Sequence, residues 1–97
     1  MLNVQLSRAA SRDLRKLYRD TQTLGRLRQA LRDLEAENLN LDIKALSGRP
    51  PWHRLRVGEW RILFRPFSRE EAQRLGNGCL VARVVNRKDS DLAARSL

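Results

Sequence analysis

The chain has 97 residues, 41% of them hydrophobic, and its 20 Lys and Arg outnumber 11 Asp and Glu to give a formal charge of +9. This length suits a single domain, residues 1–97, with one core. The excess of positive charge favours a polyanionic partner such as nucleic acid, or an acidic protein that covers the basic surface. No apolar run approaches the roughly 20 residues that span a bilayer and no signal peptide is recognisable, so we expect a cytoplasmic protein with no membrane partner.

Metal and thiol chemistry are not expected from this composition. Cys79 is the only cysteine and His53 the only histidine, which leaves neither a thiolate cluster nor an ordinary zinc ligand set. Cys79 lies in an apolar segment and has no recognisable partner histidine, so we interpret it as a small core residue rather than a nucleophile. We therefore expect no metal and no cofactor.

The first half of the chain predicts a strand followed by two helices. Residues 2–6 alternate apolar and polar side chains, which indicates a short strand of the main sheet. Ser7 or Ser11 caps a first helix that ends near Tyr18, and a second helix begins at a cap near Asp20, with leucines recurring every three or four residues. Two helices joined by so short a turn form an antiparallel pair that covers one side of a sheet.

The segment from Trp52 to Arg65 predicts a β-hairpin that turns at Gly58. Successive side chains of a strand point to opposite faces, so the hairpin has one apolar face and one basic face. The apolar face carries Leu55, Val57, Trp60, Ile62 and Phe64. The other face, called here the arginine face, carries Arg54, Arg56, Arg61 and Arg65. Trp52 falls on the arginine face, where it stacks on an RNA base or packs under the Pro50-Pro51 loop.

The remaining segments are a connector, a third long strand and short helical turns. Residues 38–51 are predicted to be a connector, and Pro66 ends the second hairpin strand or marks a bulge. Residues 68–71 fit a capping box for a helical turn, with a plain loop as the alternative. Residues 79–87 predict a strand of uniform alternation, and residues 91–97 a last helical turn.

These elements together predict an α+β fold. Two N-terminal helices pack on one face of a twisted, mainly antiparallel sheet of about four strands, and the arginine face remains open to bind RNA. A solvated sheet surface without a ligand is the plainer interpretation of the same arginines.

The order of strand, two helices and three-stranded meander resembles the toxin superfamily that includes RelE, HigB, YoeB and ParE. Leu46-Ser47-Gly48 and the segment Trp52 to Phe64 are similar to the family's leucine-x-glycine, aromatic, basic-x-basic, turn and aromatic-arginine pattern. Val84 to Asp89 resembles the family's final strand with its basic ending. The resemblance covers nearly the whole chain and implies a RelE-like, microbial-ribonuclease-like fold.

This resemblance implies the toxin of a type II toxin–antitoxin module, an endoribonuclease that enters the ribosomal A site, cuts messenger RNA and inhibits translation. The implied partners are a cognate antitoxin, messenger RNA, the ribosome and, through the antitoxin, operator DNA. Cleavage in this family needs no metal, because the 2′-hydroxyl of the RNA attacks the adjacent phosphate. The enzyme orients the RNA, stabilises charge on phosphorus and moves protons.

Carried over residue by residue, the resemblance assigns catalytic roles to basic residues of the hairpin and the last strand. They are Arg54, Arg56, Arg61, Arg87 and Lys88. Guanidinium groups suit phosphate stabilisation but are poor bases, so Lys88 is taken for proton transfer, with Lys44 and His53 as alternatives. The predicted RNA-binding residues are Lys44, Arg49, Trp52, His53, Arg65 and Arg83.

The chain departs from the family pattern in two places. Asn86 stands where many members have a histidine, and no tyrosine follows Asp89. These differences favour a first alternative, a ParE-like inhibitor of DNA gyrase that cuts nothing, whereas Arg61 and the basic-x-basic strand favour the nuclease. The second alternative is a non-catalytic RNA-binding module or an inactive toxin, which predicts salt-sensitive RNA binding without products.

Overall fold

The computed structural model describes all of residues 1–97, which form five strands and four α-helices. The strands are β1 (Asn3–Leu6), β2 (Ile43–Ala45), β3 (His53–Val57), β4 (Trp60–Pro66) and β5 (Gly78–Asn86). The helices are α1 (Arg8–Arg15), α2 (Thr21–Glu35), α3 (Arg69–Leu75) and α4 (Ser90–Ala94), with a 3₁₀ turn at Arg87–Asp89. The predicted α+β class is confirmed.

The strands form one sheet in the order β1-β5-β4-β3-β2. β1 pairs parallel to β5 and the other pairs are antiparallel. The sheet has five strands rather than about four, because Ile43–Ala45 of the predicted connector pairs with β3. This edge strand is exposed along its three residues, so no alternation of buried and polar side chains marks it in the sequence.

Side-chain caps start the two N-terminal helices. Ser7 Oγ accepts a hydrogen bond from Ala10 N at 3.0 Å, and Asp20 Oδ1 accepts one from Thr23 N at 3.1 Å. α1 ends at Arg15 instead of near Tyr18. In the residues that follow, backbone N–H groups donate hydrogen bonds to the carbonyl three residues earlier, as Tyr18 N does to Arg15 O. These turns keep a helix-like spacing after the α-helix has ended.

The main core lies between these helices and one sheet face. Its fully or nearly buried residues are Ala10, Leu27, Ala30, Leu31, Leu34, Leu55, Ile62, Phe64, Cys79, Val81 and Val84. Val57 and Trp60 pack against it at its margin. The apolar face predicted for the hairpin is therefore the face that the helices cover.

A bulge interrupts the alternation of β5. Phe64 pairs with Val81 and Leu63 with Arg83, which leaves Ala82 as an extra residue on β5. Val81 and Val84 consequently both face the main core although they are three residues apart. The predicted uniform alternation over 79–87 was wrong for this reason.

The second sheet face is partly covered, contrary to the expectation that it stays open. Leu63 and Val85 pack there against Ala93 and Ala94 of α4 in a separate buried cluster. Leu97 and Leu46 pack at the edge of this cluster. The exposed part of the arginine face is therefore smaller than the sequence suggested.

A reciprocal cap and an ion pair stabilise α3. Glu71 N donates to Ser68 Oγ and Ser68 N donates to Glu71 Oε1, so the predicted capping box forms. Arg65 donates to both carboxylate oxygens of Glu71, at 2.7 and 3.2 Å. The hydrogen bonds from Arg65 and Ser68 lower the pKa of Glu71 from 4.5 to about 2.

This lowered pKa predicts an acid-sensitive contribution to stability. Because the folded-state pKa lies below the unfolded value, the contribution is complete above pH 4.5 and is lost as pH falls towards 2. Glu71→Gln should therefore flatten the fall in urea midpoint across that interval. Glu70→Gln, in the same turn but without an ion pair, is the control and should retain the wild-type slope.

Candidate nucleic-acid interface

Cross-strand pairing assembles basic side chains on one face of the sheet. Lys44 of β2 lies opposite Arg54 of β3, which lies opposite Leu63 of β4. Arg56 of β3 lies directly opposite Arg61 of β4. Since directly paired residues share a sheet face, Lys44 joins the arginine face. Two arginines placed directly opposite each other repel, so their pairing costs the fold free energy unless an anion lies between them.

The guanidinium of Arg61 is fixed above the hairpin turn. Its Nη1 donates to the carbonyls of Gly58 at 2.8 Å and Trp60 at 2.9 Å. Gly58 has a φ of 59°, which glycine adopts without strain at the first position of a two-residue hairpin loop. The turn therefore both reverses the chain and orients Arg61.

The pKa of Arg61 is lowered, first by burial and then by the positive charges of Arg54, Arg56 and Arg87. Glu59 opposes this effect. The repulsion shows that four guanidinium groups share one electrostatic environment at this end of the sheet. A bound phosphate would relieve this repulsion.

Arg54 is half-buried, and its Nη1 is buried without an acceptor. Arg56 is exposed and takes part in no ion pair. A buried guanidinium nitrogen without an acceptor is costly, and it gains an oxyanion partner when the Arg54 side chain turns towards the sheet surface.

The end of β5 brings Arg87 to the hairpin turn, and Lys88 follows it in the 3₁₀ turn. Arg87 N donates to the Glu59 carbonyl at 2.8 Å, and Arg87 Nε forms an ion pair with Glu59 Oε2 at 2.8 Å. Lys88 is exposed and its ammonium forms no ion pair. Glu59 was not assigned a role from the sequence, because only the folded turn places it beside Arg87.

Other predicted RNA-binding residues are used by the fold or lie apart. Arg65 forms an ion pair with Glu71, and its guanidinium carbon lies 5.8 Å from the centroid of the Trp52 ring. Arg83 forms an ion pair with buried Asp13 at 2.8 Å, which raises the pKa of Arg83. Arg49 lies half-buried in the loop before β3, outside the strands that carry the paired arginines.

His53 faces the main core. It pairs with Phe64 across the strands, and the two rings stack with centroids 5.7 Å apart. Its Nδ1 is buried without a partner. The structure therefore separates the only imidazole from Arg54 and Arg56 by the thickness of the sheet, as strand alternation requires.

No group of three or more His, Cys, Asp or Glu side chains is placed to hold a metal ion. Burial raises the pKa of Cys79 to about 11, so its thiol remains protonated at neutral pH. None of the helices is both long and apolar enough to cross a bilayer. The chemistry available on the arginine face is thus that of guanidinium and ammonium groups.

A family model for the ParE toxin of the type II toxin–antitoxin system parDE matches residues 4–90. The chain belongs to this toxin family. The match includes both N-terminal helices, the hairpin and β5 with the basic residues that follow it, so the ParE-family toxin carries its arginine face within the matched region. No curated protein sequence matches the toxin.

Solved structures of antitoxin–toxin complexes have the same fold as this toxin. A chain of the RelB–RelE complex from Methanococcus jannaschii aligns with a TM-score of 0.62 and 22% identity over 90% of the toxin and 94% of that chain. A chain of the E. coli DinJ–YafQ complex aligns with a TM-score of 0.68 and 13% identity over 94% of the toxin and 96% of that chain. The sequence-based assignment to the RelE/ParE superfamily is confirmed.

Proposed function

We propose that this type II toxin is a ribosome-dependent messenger-RNA endonuclease of the RelE kind. The observation that carries the proposal is the arginine face itself. Arg54, Arg56 and Arg61 share it without an acidic partner, and a buried nitrogen of Arg54 lacks an acceptor. This arrangement is costly for the fold alone and suited to a phosphodiester.

The proposed reaction uses the substrate's own 2′-hydroxyl as nucleophile. Its oxygen bonds to phosphorus and its proton passes to solvent water, while the bond from phosphorus to the 5′-oxygen of the next nucleotide breaks and that oxygen takes up a proton. The products are a 2′,3′-cyclic phosphate and a 5′-hydroxyl. Arg56 and Arg61 hold the phosphate and stabilise the added negative charge. Arg54, two residues before Arg56 on the same face of β3, adds a further positive charge.

Proton transfer is assigned to Lys88, whose ammonium donates a proton to the departing 5′-oxygen. It follows the strand that brings Arg87 to the hairpin turn, and its ammonium is free of ion pairs. Arg87 is held by Glu59 and reaches the phosphate by exchanging that partner. His53 is not used, because it lies on the opposite face of the sheet.

The proposed partners are messenger RNA in the ribosomal A site and a cognate antitoxin, with operator DNA bound through the antitoxin. Both similar structures are antitoxin–toxin complexes, which supports the antitoxin partner. The charge of +9 suits both a ribosomal substrate and an acidic inhibitor. Because ribosomes are the proposed site of action, we place the protein in the cytoplasm.

The proposal is tested by adding purified toxin to in-vitro translation of a defined message and mapping new 5′ ends. We expect cuts within codons, only when ribosomes are present. Cuts in naked RNA alone, or an intact message with translation unimpaired, would contradict it. A parallel supercoiling assay with DNA gyrase examines the second candidate function.

Gyrase inhibition is that second candidate. Two observations favour it: the matching family model describes the parDE toxin, and the arginine face contains no imidazole. It predicts blocked supercoiling with an intact message. If the toxin neither cuts the message nor blocks supercoiling, the non-catalytic RNA-binding module remains, which binds RNA with strong salt dependence.

A further inference from the structure

A second basic surface lies on α1, on a different element from the strands β3 and β4 that carry the arginine face. Arg8, Arg12 and Arg15 are exposed and line, with Ser11 and Leu6, a shallow cleft of about 450 Å³. Ala10 on the other side of the helix is fully buried in the main core. The helix therefore separates a core-facing side from a solvent-facing stripe of guanidinium groups, called here the α1 stripe (Arg8, Arg12 and Arg15).

The α1 stripe is uncompensated within the protein. None of its arginines takes part in an ion pair, and the first turn of α1 contains no acidic residue. Like charges at spacings of three and four residues destabilise a helix by about 0.2–0.5 kcal/mol per pair. Arg8 in the first turn also opposes the helix dipole. The fold gains nothing evident from these charges, which is expected of a surface that binds an anionic ligand.

We propose that the α1 stripe is a second RNA-binding surface, which holds the phosphate backbone of a folded RNA. Arg8 and Arg15 are about 10 Å apart along the helix axis. That length matches several charges of a nucleic-acid strand, which carries one about every 3.4 Å of axis. Bidentate guanidinium groups fit phosphate oxygens without reading sequence.

The cleft chemistry favours RNA over an acidic protein segment. Leu6 is the only apolar residue of the lining, whereas the centre of a protein interface is apolar or aromatic. Tyr18, the only exposed aromatic ring, follows the stripe, and the Arg19 guanidinium lies 5.2 Å from its centroid. An aromatic ring beside guanidinium groups suits stacking on an unpaired base.

This inference goes beyond the proposed nuclease activity, since it concerns binding alone and stands whether or not the toxin cuts RNA. The α1 stripe belongs to a helix that packs on β5, whereas the arginine face belongs to β3 and β4, so the two surfaces are built from different elements of the fold.

The test compares two triple variants that lose the same charge. One is Arg8→Gln, Arg12→Gln, Arg15→Gln, and the control is Arg28→Gln, Arg69→Gln, Arg74→Gln, three exposed arginines without ion pairs. Glutamine preserves helix propensity, and thermal melting confirms folding. Affinity for a short RNA hairpin is measured by fluorescence anisotropy over a salt series, in wild-type and Arg56→Gln backgrounds.

We expect the α1 variant to weaken binding about tenfold or more and to reduce the slope of log K against log salt by about 2, in both backgrounds. The control should retain most of the wild-type slope. Equal losses in both triples would mean a general charge effect and overturn the proposal. Unchanged RNA binding in the α1 variant, with weakened binding of a polyglutamate peptide, would overturn it in favour of an acidic protein.

Discussion

Replacing Arg61 with alanine is expected to slow message cleavage on ribosomes by about 10²–10³-fold, the usual cost of removing one oriented donor to a transition-state oxyanion. The carbonyls of Gly58 and Trp60 fix its guanidinium, so no other side chain takes over its position. Single-turnover cleavage of a message bound to stalled ribosomes measures the chemical step. Thermal melting of the variant should remain close to the wild type, because Arg61 lies at the sheet surface.

Two control variants define how the loss should be interpreted. Arg61→Lys keeps the charge but loses the planar fork, and is expected to recover only part of the rate. Arg69→Ala removes an exposed charge from α3 and should leave cleavage nearly unchanged. Wild-type cleavage by Arg61→Ala would contradict the role given to the arginine face.

The largest effect on stability is expected at Asp13. Its carboxylate is buried in α1 and accepts hydrogen bonds from Arg83 Nε at 2.8 Å, Arg83 Nη2 at 3.2 Å and Val84 N at 2.8 Å. These bonds attach the helix to β5 beside its bulge. Asp13→Ala leaves a buried amide without an acceptor and a half-buried guanidinium without a partner.

We expect Asp13→Ala to lower the free energy of unfolding by about 2–3 kcal/mol, a large share of the roughly 5–15 kcal/mol typical of small proteins. The solvent-exposed part of Arg83 keeps the loss below that of a fully buried pair. Urea denaturation measures it. Asp42→Ala, where the carboxylate is exposed, is the control, and a similar midpoint for both variants would refute the role of Asp13.

The hairpin could be predicted from the sequence because its pattern and its packing agree. Leu55, Ile62 and Phe64 recur with the period of a strand, and each is buried against the helices. Capping residues likewise marked helix starts at Asp20 and Ser68. Local chemistry that acts within three residues is visible in a sequence.

The bulge and the second apolar cluster could not be predicted. Ala82 carries no glycine or proline signal that would mark an extra residue in β5. Ala93 and Ala94 are too small to stand out in a pattern, yet they cover Leu63. Their burial depends on the C-terminal segment returning across the sheet, a contact that the periodicity of the sequence does not encode.

The sequence predicted which residues lie on the arginine face, but not which basic residues form ion pairs. Alternation placed Arg54, Arg56 and Arg61 on one face, and the strand register agrees. The ion pair between Arg83 and Asp13 joins residues 70 positions apart, and the one between Arg65 and Glu71 depends on how α3 folds back. Which arginines remain free for a ligand is therefore a property of the tertiary structure.

The most direct test of the arginine face as a ribonuclease site is cleavage of a message that carries a single 2′-deoxynucleotide at the mapped cut. The substitution removes the proposed nucleophile and leaves codon pairing and the phosphate unchanged. We predict that the toxin leaves this message intact on ribosomes while it cuts the all-ribose message to a 2′,3′-cyclic phosphate. Cleavage of both messages at the same position would contradict the proposed mechanism.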